Sequence, residues 1–178
     1  MTFIESETIE LKSSVVADLC KEVIAFANTR GGTLYIGVED NGTVIGVDSA
    51  DRVTLQIDNM VRDSIKPDIT MFVHYETQVI NDKQIIAVTV QEGTDRPYYL
   101  GSKGLKPSGV YVRNGTSTDP ASDTAIRKMI KETDGDSFET MRSLEQNLSF
   151  QAAEAQFAKR KVPYDAAKNR LSRLPSFF

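Results

Sequence analysis

The chain has 178 residues, 40% of them hydrophobic and 26% charged, with a formal net charge of −4 and a pI near 5.1, a length that fits one domain with room for an appendage. The acidic balance counts against a domain that coats nucleic acid electrostatically, and the single cysteine, Cys20, excludes an intramolecular disulfide and a multi-cysteine zinc site. No apolar run reaches the roughly 18 residues that a membrane span needs, and the N-terminus lacks the basic and apolar regions of a signal peptide.

Glu5 to Val15 reads as an extended opening segment. Ile9 and Leu11 alternate with Glu10 and Lys12 there, so the two charged side chains share one strand face. Val16, Leu19, Cys20, Val23, Ile24 and Ala27 then recur at helical spacing as one apolar stripe, and Cys20 within it reads as a buried core thiol. The helix is expected to stop at Gly31-Gly32, where glycine takes the left-handed conformation and lets another backbone approach. A strand follows to Glu39-Asp40. Asn41-Gly42 predicts a type I′ turn, because both of its central residues need positive φ, and the chain returns through Thr43 to Val47. Val53, Ile57, Met60, Val61 and Ile65 mark a second amphipathic helix. It ends at Lys66-Pro67, since the residue before proline avoids helical angles.

Met71–Ile80 and Gln84–Gln91 alternate about Asn81-Asp82, a second hairpin. His74 is the only histidine and falls mid-strand, with no serine motif to make a triad. Thr94–Pro107 is a loop rich in Gly, Pro and Tyr. Gly109–Arg113 is a short strand, the polar run through Thr116 and Ser117 to Pro120 reads as a helix-start turn, and Ala125–Lys131 continues as a helix. Beyond Phe138 the pattern is helical, with Ser149 as a candidate N-cap for Phe150–Lys159. The expected division is a domain over residues 1–135 and a helical extension or linker over 136–178. Phe177-Phe178 hints at a further domain or at a homo-oligomer contact through the tail. Charge is uneven: residues 1–60 hold ten acidic against four basic side chains, and residues 139–178 hold four against seven.

Three collinear stretches resemble the Schlafen AlbA-like domain family. Glu5-Ser-Glu-Thr-Ile-Glu10-Leu-Lys12 matches its opening E-S-x-x-x-E-x-K. Ala25-Phe-Ala-Asn-Thr-Arg-Gly-Gly-Thr-Leu-Tyr-Ile-Gly-Val38 with the following Asp-Asn-Gly turn is the second. Gly109-Val-Tyr-Val-Arg113-Asn-Gly115-Thr-Ser-Thr118 resembles Y-[VI]-R-x-G-S-[ST]-[ST], with Thr116 keeping the hydroxyl of the usual serine. The resemblance implies an α+β fold with a mixed or antiparallel sheet and two to three packed helices. It also implies a DNA-binding module at the N-terminal part of a bacterial transcriptional regulator, and the single cysteine with the lack of a membrane run or signal peptide in this sequence leads to the expectation of a cytoplasmic setting.

Three functions follow as expectations. The first is nucleic-acid binding, to DNA or RNA. Arg96, Lys103, Arg113, Thr116 and Ser117 would contact phosphates, and Tyr111 (with Tyr98 or Tyr99) would stack on unpaired bases. The bland reading of these residues is sheet packing for the tyrosines and a turn for 115–118. The second is a metal-dependent endoribonuclease. Glu5, Glu10 and Asp40 would hold Mg²⁺ or Mn²⁺, as the resemblance maps an acidic trio there, and Lys12 would stabilise charge on the phosphate. Here the bland reading is a solvated strand face with an ion pair. The third is a regulatory or oligomerisation module of an ATP-binding protein. This stretch itself has no phosphate loop, because G-x-x-x-x-G-K-[ST] is absent and Gly31-Gly32 follow the helix instead of preceding it.

Overall fold

Seven of the nine residues of the first helix, α1 (Leu19–Ala27), are buried, more than one amphipathic face accounts for. The surroundings of this helix explain it. The computed structural model describes residues 3–133 and Lys159, and residues 3–133 fall in one compact unit, Met1–Thr140. Helix α1 connects β1 (Ile9–Lys12) to β2 (Gly32–Ile36), which pair in parallel with Ile9 opposite Thr33 and Lys12 opposite Ile36. The second strand also pairs antiparallel with β5 (Lys83–Val90), which pairs in turn with β4 (Val73–Ile80). The result is a mixed sheet in the order β1-β2-β5-β4.

The alternation of the strands lets both faces of this sheet be covered. Helix α2 (Ala50–Ser64) joins α1 on one face, where Leu34, Ile36, Ile57, Val61, Ile86 and Val88 share a core. Ser49 caps α2 by accepting the Arg52 N–H on its hydroxyl, as the polar residue before a periodic apolar run should. Phe3, Leu11, Val38 and Ile85 cover the other face, with Phe3 set edge-on to Tyr35 at 4.7 Å. Two short antiparallel pairs extend the unit: β3 (Ile65–Lys66) with β6 (Tyr99–Leu100), and β7 (Tyr111–Asn114) with β8 (Ser117–Pro120). Helix α3 (Asp123–Thr133) closes a third small core of Val110, Ala121, Ile126 and Met129. The fold is thus α+β, with three helices over mixed and antiparallel sheets.

Several local expectations change. Helix α1 begins at Leu19, not Val16, because residues 16–18 form a turn in which Leu19 N–H donates to Val16 O, leaving Val16 38% exposed. The type I′ turn is not at Asn41-Gly42. Only Gly42 has positive φ there (+83°), and the Gly42 N–H bonds Glu39 O in a three-residue loop closed by Glu39 N–H to Thr43 O. The primed turn is at Asn81-Asp82, where φ is 52° and 61° and the flanking strands are long and regular. Residues 117–120 are strand β8, not a helix start: Gly115 (φ +62°) turns the chain back so that Ser117 pairs with Asn114. Helix α3 is started instead by Ser122, whose hydroxyl accepts the Ala125 N–H. The helical extension expected over 136–178 lies outside the described residues, except for Lys159, which is helical and exposed.

Candidate functional site

The three stretches singled out in the sequence meet at Arg113. The first places Glu10 on β1, the second supplies the face of α1, and the third brings Arg113 in on β7. The Arg113 side chain is 1% exposed. Its Nη1 donates to Glu10 Oε2 (2.8 Å), Glu22 Oε2 (3.2 Å) and Thr118 Oγ1 (3.1 Å), and its Nη2 donates to Ser6 O (2.8 Å). The guanidinium lies 4.9 Å from the Phe26 ring centroid, and Nε alone has no partner among the described residues. Thr118 passes the contact on by donating its own proton to Glu22. Lys12 donates from Nζ to Glu10 Oε1 and to Leu11 O (3.1 Å). Two carboxylates and two cations are therefore enclosed together. Such a group is stable only because each charge is paired and hydrogen-bonded.

The electrostatics follow from burial and pairing. Burial raises the pKa of Glu22, opposed by the Thr118 hydrogen bond and reinforced by the nearby Glu10 charge. Burial works against the Lys12 ammonium, but the hydrogen bond and charge of Glu10, helped by Glu22 and Glu5, outweigh it and hold its pKa above the usual lysine value.

The acidic trio is not assembled. Both Glu10 oxygens are occupied, by Lys12 and by Arg113. Glu5 accepts the Leu11 N–H at 3.4 Å. Asp40 is exposed on the 40–42 loop, in a shallow recess with Ser13, Glu39 and Asn41. Among the described residues no group of three or more His, Cys, Asp and Glu side chains is placed to hold a metal ion. Arg113 is likewise not the surface phosphate contact expected of it, because its donors face inward.

The remaining expected contacts separate into two groups. Arg96 is tied to Glu92 (2.7 Å) and Glu132 (3.9 Å), anchoring α3. Tyr111 is half-buried, donates to Ser108 O (3.1 Å) and has Lys21 Nζ 5.8 Å from its ring. Tyr98 is fully buried. Lys103, Thr116 and Ser117 are exposed.

Two groups escaped the sequence reading. Asn28, read only as a helix end, is 4% exposed; its amide donates to Tyr98 O (2.9 Å) and Tyr111 O (3.0 Å) and accepts the Tyr98 N–H (2.8 Å). The other group is Lys66 and Lys106. Pairing of Lys66 with Tyr99 sets it beside the loop Gly101–Gly109, which carries Lys103 and Lys106 and no acidic residue. All three lysines are exposed, and none enters an ion pair among the described residues. The signal was available in the Ser-Lys-Gly-Leu-Lys composition of the loop; the strand that brings Lys66 to it was not.

At the opposite end of α2 the surface is different. A cleft of about 310 Å³ there is lined by Ser13, Ser14, Val47, Asp48, Arg52 and Gln56 among others, and Glu39, Asp40 and Asp82 lie around neighbouring recesses.

The family model described as Schlafen, AlbA_2 matches residues 5–122. The chain belongs to this family. The Schlafen AlbA_2 match spans the segments that meet at Arg113, from Glu5 through Thr118. The chain is also similar to the N-terminal domain of a RecG-related protein from Nitrosomonas europaea, at 28% identity over 61% of this chain and 79% of that one, with a TM-score of 0.47. It is similar to the DIP2311 protein from Corynebacterium diphtheriae at 20% identity, covering 65% of this chain and 25% of that one, with a TM-score of 0.48. No curated protein matches. Among the described residues no helix is long and apolar enough to cross a membrane.

Proposed function

We propose that this Schlafen AlbA_2 domain binds nucleic acid at the Lys66–Lys103–Lys106 corner and does not cleave it. The observation that carries the reading is the β3–β6 pairing, which gathers three unpaired lysines beside an acid-free loop. Phosphates are the ligands that such ammonium groups suit. Engagement of Glu10 and Arg113 with each other supports binding over cleavage. Service as part of a bacterial transcriptional regulator rests on the family alone.

Fluorescence anisotropy with labelled single-stranded DNA, duplex DNA and structured RNA tests this reading. Binding should be steeply salt-dependent, because the net charge of −4 opposes it. Replacing Lys103 and Lys106 by alanine should weaken it and reduce the slope of log K against log salt by roughly 1.4 to 1.8. No binding to any of the three, or an unchanged titration in the double variant, would overturn the proposal.

A further inference from the structure

Strand β4 is one edge of the mixed sheet, and no described residue pairs with its outer side. Edge strands of soluble proteins are normally blunted by brevity, lysine, proline or a bulge. Val73–Ile80 has none of these: it runs eight residues in unbroken register and carries one acidic side chain, Glu76. Met71 and Val79, near its two ends, are 85% and 65% exposed.

The backbone directions follow from the turn. Ile80 and Lys83 flank the two-residue Asn81-Asp82 loop, and the Gln91 N–H donates to Phe72 O at the other end. His74, Glu76, Gln78 and Ile80 therefore direct their N–H and C=O groups to β5, and Val73, Tyr75, Thr77 and Val79 direct theirs outward. A partner strand has to match those outward groups.

We infer that β4 docks on β4 of a second copy of this chain, antiparallel, across a twofold axis at Thr77. A twofold normal to the sheet keeps both copies' helices on one side and pairs outward residues with outward residues. Only two axis positions use nearly the whole strand. An axis at Glu76 sets the two Glu76 carboxylates directly opposite each other, which is unfavourable. An axis at Thr77 sets Thr77 opposite Thr77, Tyr75 opposite Val79, and Glu76 opposite Gln78 of the other copy. Aromatic with β-branched, and carboxylate with amide, are favourable cross-strand pairs, and Gln78 already donates to Glu76 along its own strand at 2.8 Å. The strand is thus complementary to itself in one register, and the two sheets become one.

Sedimentation equilibrium on the full 178-residue chain tests the inference. A dimer is expected. Val79→Lys and Thr77→Pro should shift it to monomer with native circular dichroism; the proline removes an N–H that points away from β5, and if it unfolds the chain, Val79→Lys alone decides. A chain that is monomeric at every concentration, or a dimer that survives Val79→Lys, would overturn the inference.

Discussion

Arg113 ties the backbone of Ser6, the carboxylates of Glu10 and Glu22 and the hydroxyl of Thr118 to one guanidinium. Removing it leaves Glu10 with Lys12 and Glu22 with the Thr118 hydroxyl as their only remaining side-chain partners, and uncovers Phe26. Arg113→Ala should lower the unfolding free energy in urea by about 3–5 kcal/mol. Arg113→Lys should recover only part, because an ammonium cannot reproduce the fork; a loss below about 1 kcal/mol in the alanine variant would show that the cluster is not a clamp. Glu22 makes a separate prediction through pH. Its raised pKa means that the folded protein holds this proton more tightly than the unfolded chain. Stability from protonated Glu22 is then full below the ordinary value of about 4.5 and is lost as pH rises through the raised one. Glu22→Gln cannot ionise and escapes that loss. Its stability relative to the parent should improve from about pH 4 to pH 7, and a flat difference would contradict the assignment. None of this was visible in the sequence, because Glu10, Lys12 and Arg113 read equally well as surface charges. What decides is which charges the fold encloses, and that depends on a strand a hundred positions away.

At the scale of elements, the apolar periodicity of 16–27 and 53–65 and the alternation of 71–91 place the helices and long strands close to where they stand, with the first helix starting three residues late. Turns were less legible, because a turn type depends on the strands that flank it. Asn41-Gly42 follows a bulged end of β2, where Val38 and Val44 form a lone bridge, and becomes a three-residue loop. Asn81-Asp82 joins two regular strands and takes the primed form. Thr116–Thr118 has the hydroxyls of a helix cap but pairs with β7 instead. Gly31 is the position where local chemistry and packing agree. Its φ is +76°, and a Cβ there would lie 2.6 Å from Val90 O on β5. Gly31→Ala should therefore destabilise by more than about 1 kcal/mol, read as a lower denaturant midpoint with an unchanged slope. An alanine variant as stable as the parent would mean that the α1–β2 corner is looser than its geometry.

Across the whole molecule, charge is mixed at both ends of α2. Asp40, Asp48 and Asp82 lie about its N-terminal end with Arg52 and Lys83, and Lys66, Lys103 and Lys106 gather at its C-terminal end, where Asp63 and Asp68 flank Lys66 in the chain. Net charge alone pointed away from a polyanion partner, since a sum over the chain hides a local cluster of lysines. Of the expected contacts, Lys103, Thr116 and Ser117 are free to meet a ligand, whereas Arg96 and Arg113 are committed to internal ion pairs. The most direct test is a ¹H–¹⁵N correlation map of the full chain titrated with whichever oligonucleotide binds best. The amides that shift should lie in 64–66 and 99–109, and should return toward their free positions as salt is added. Shifts confined to 13–15 and 39–48, at the opposite end of α2, would contradict the proposed interface.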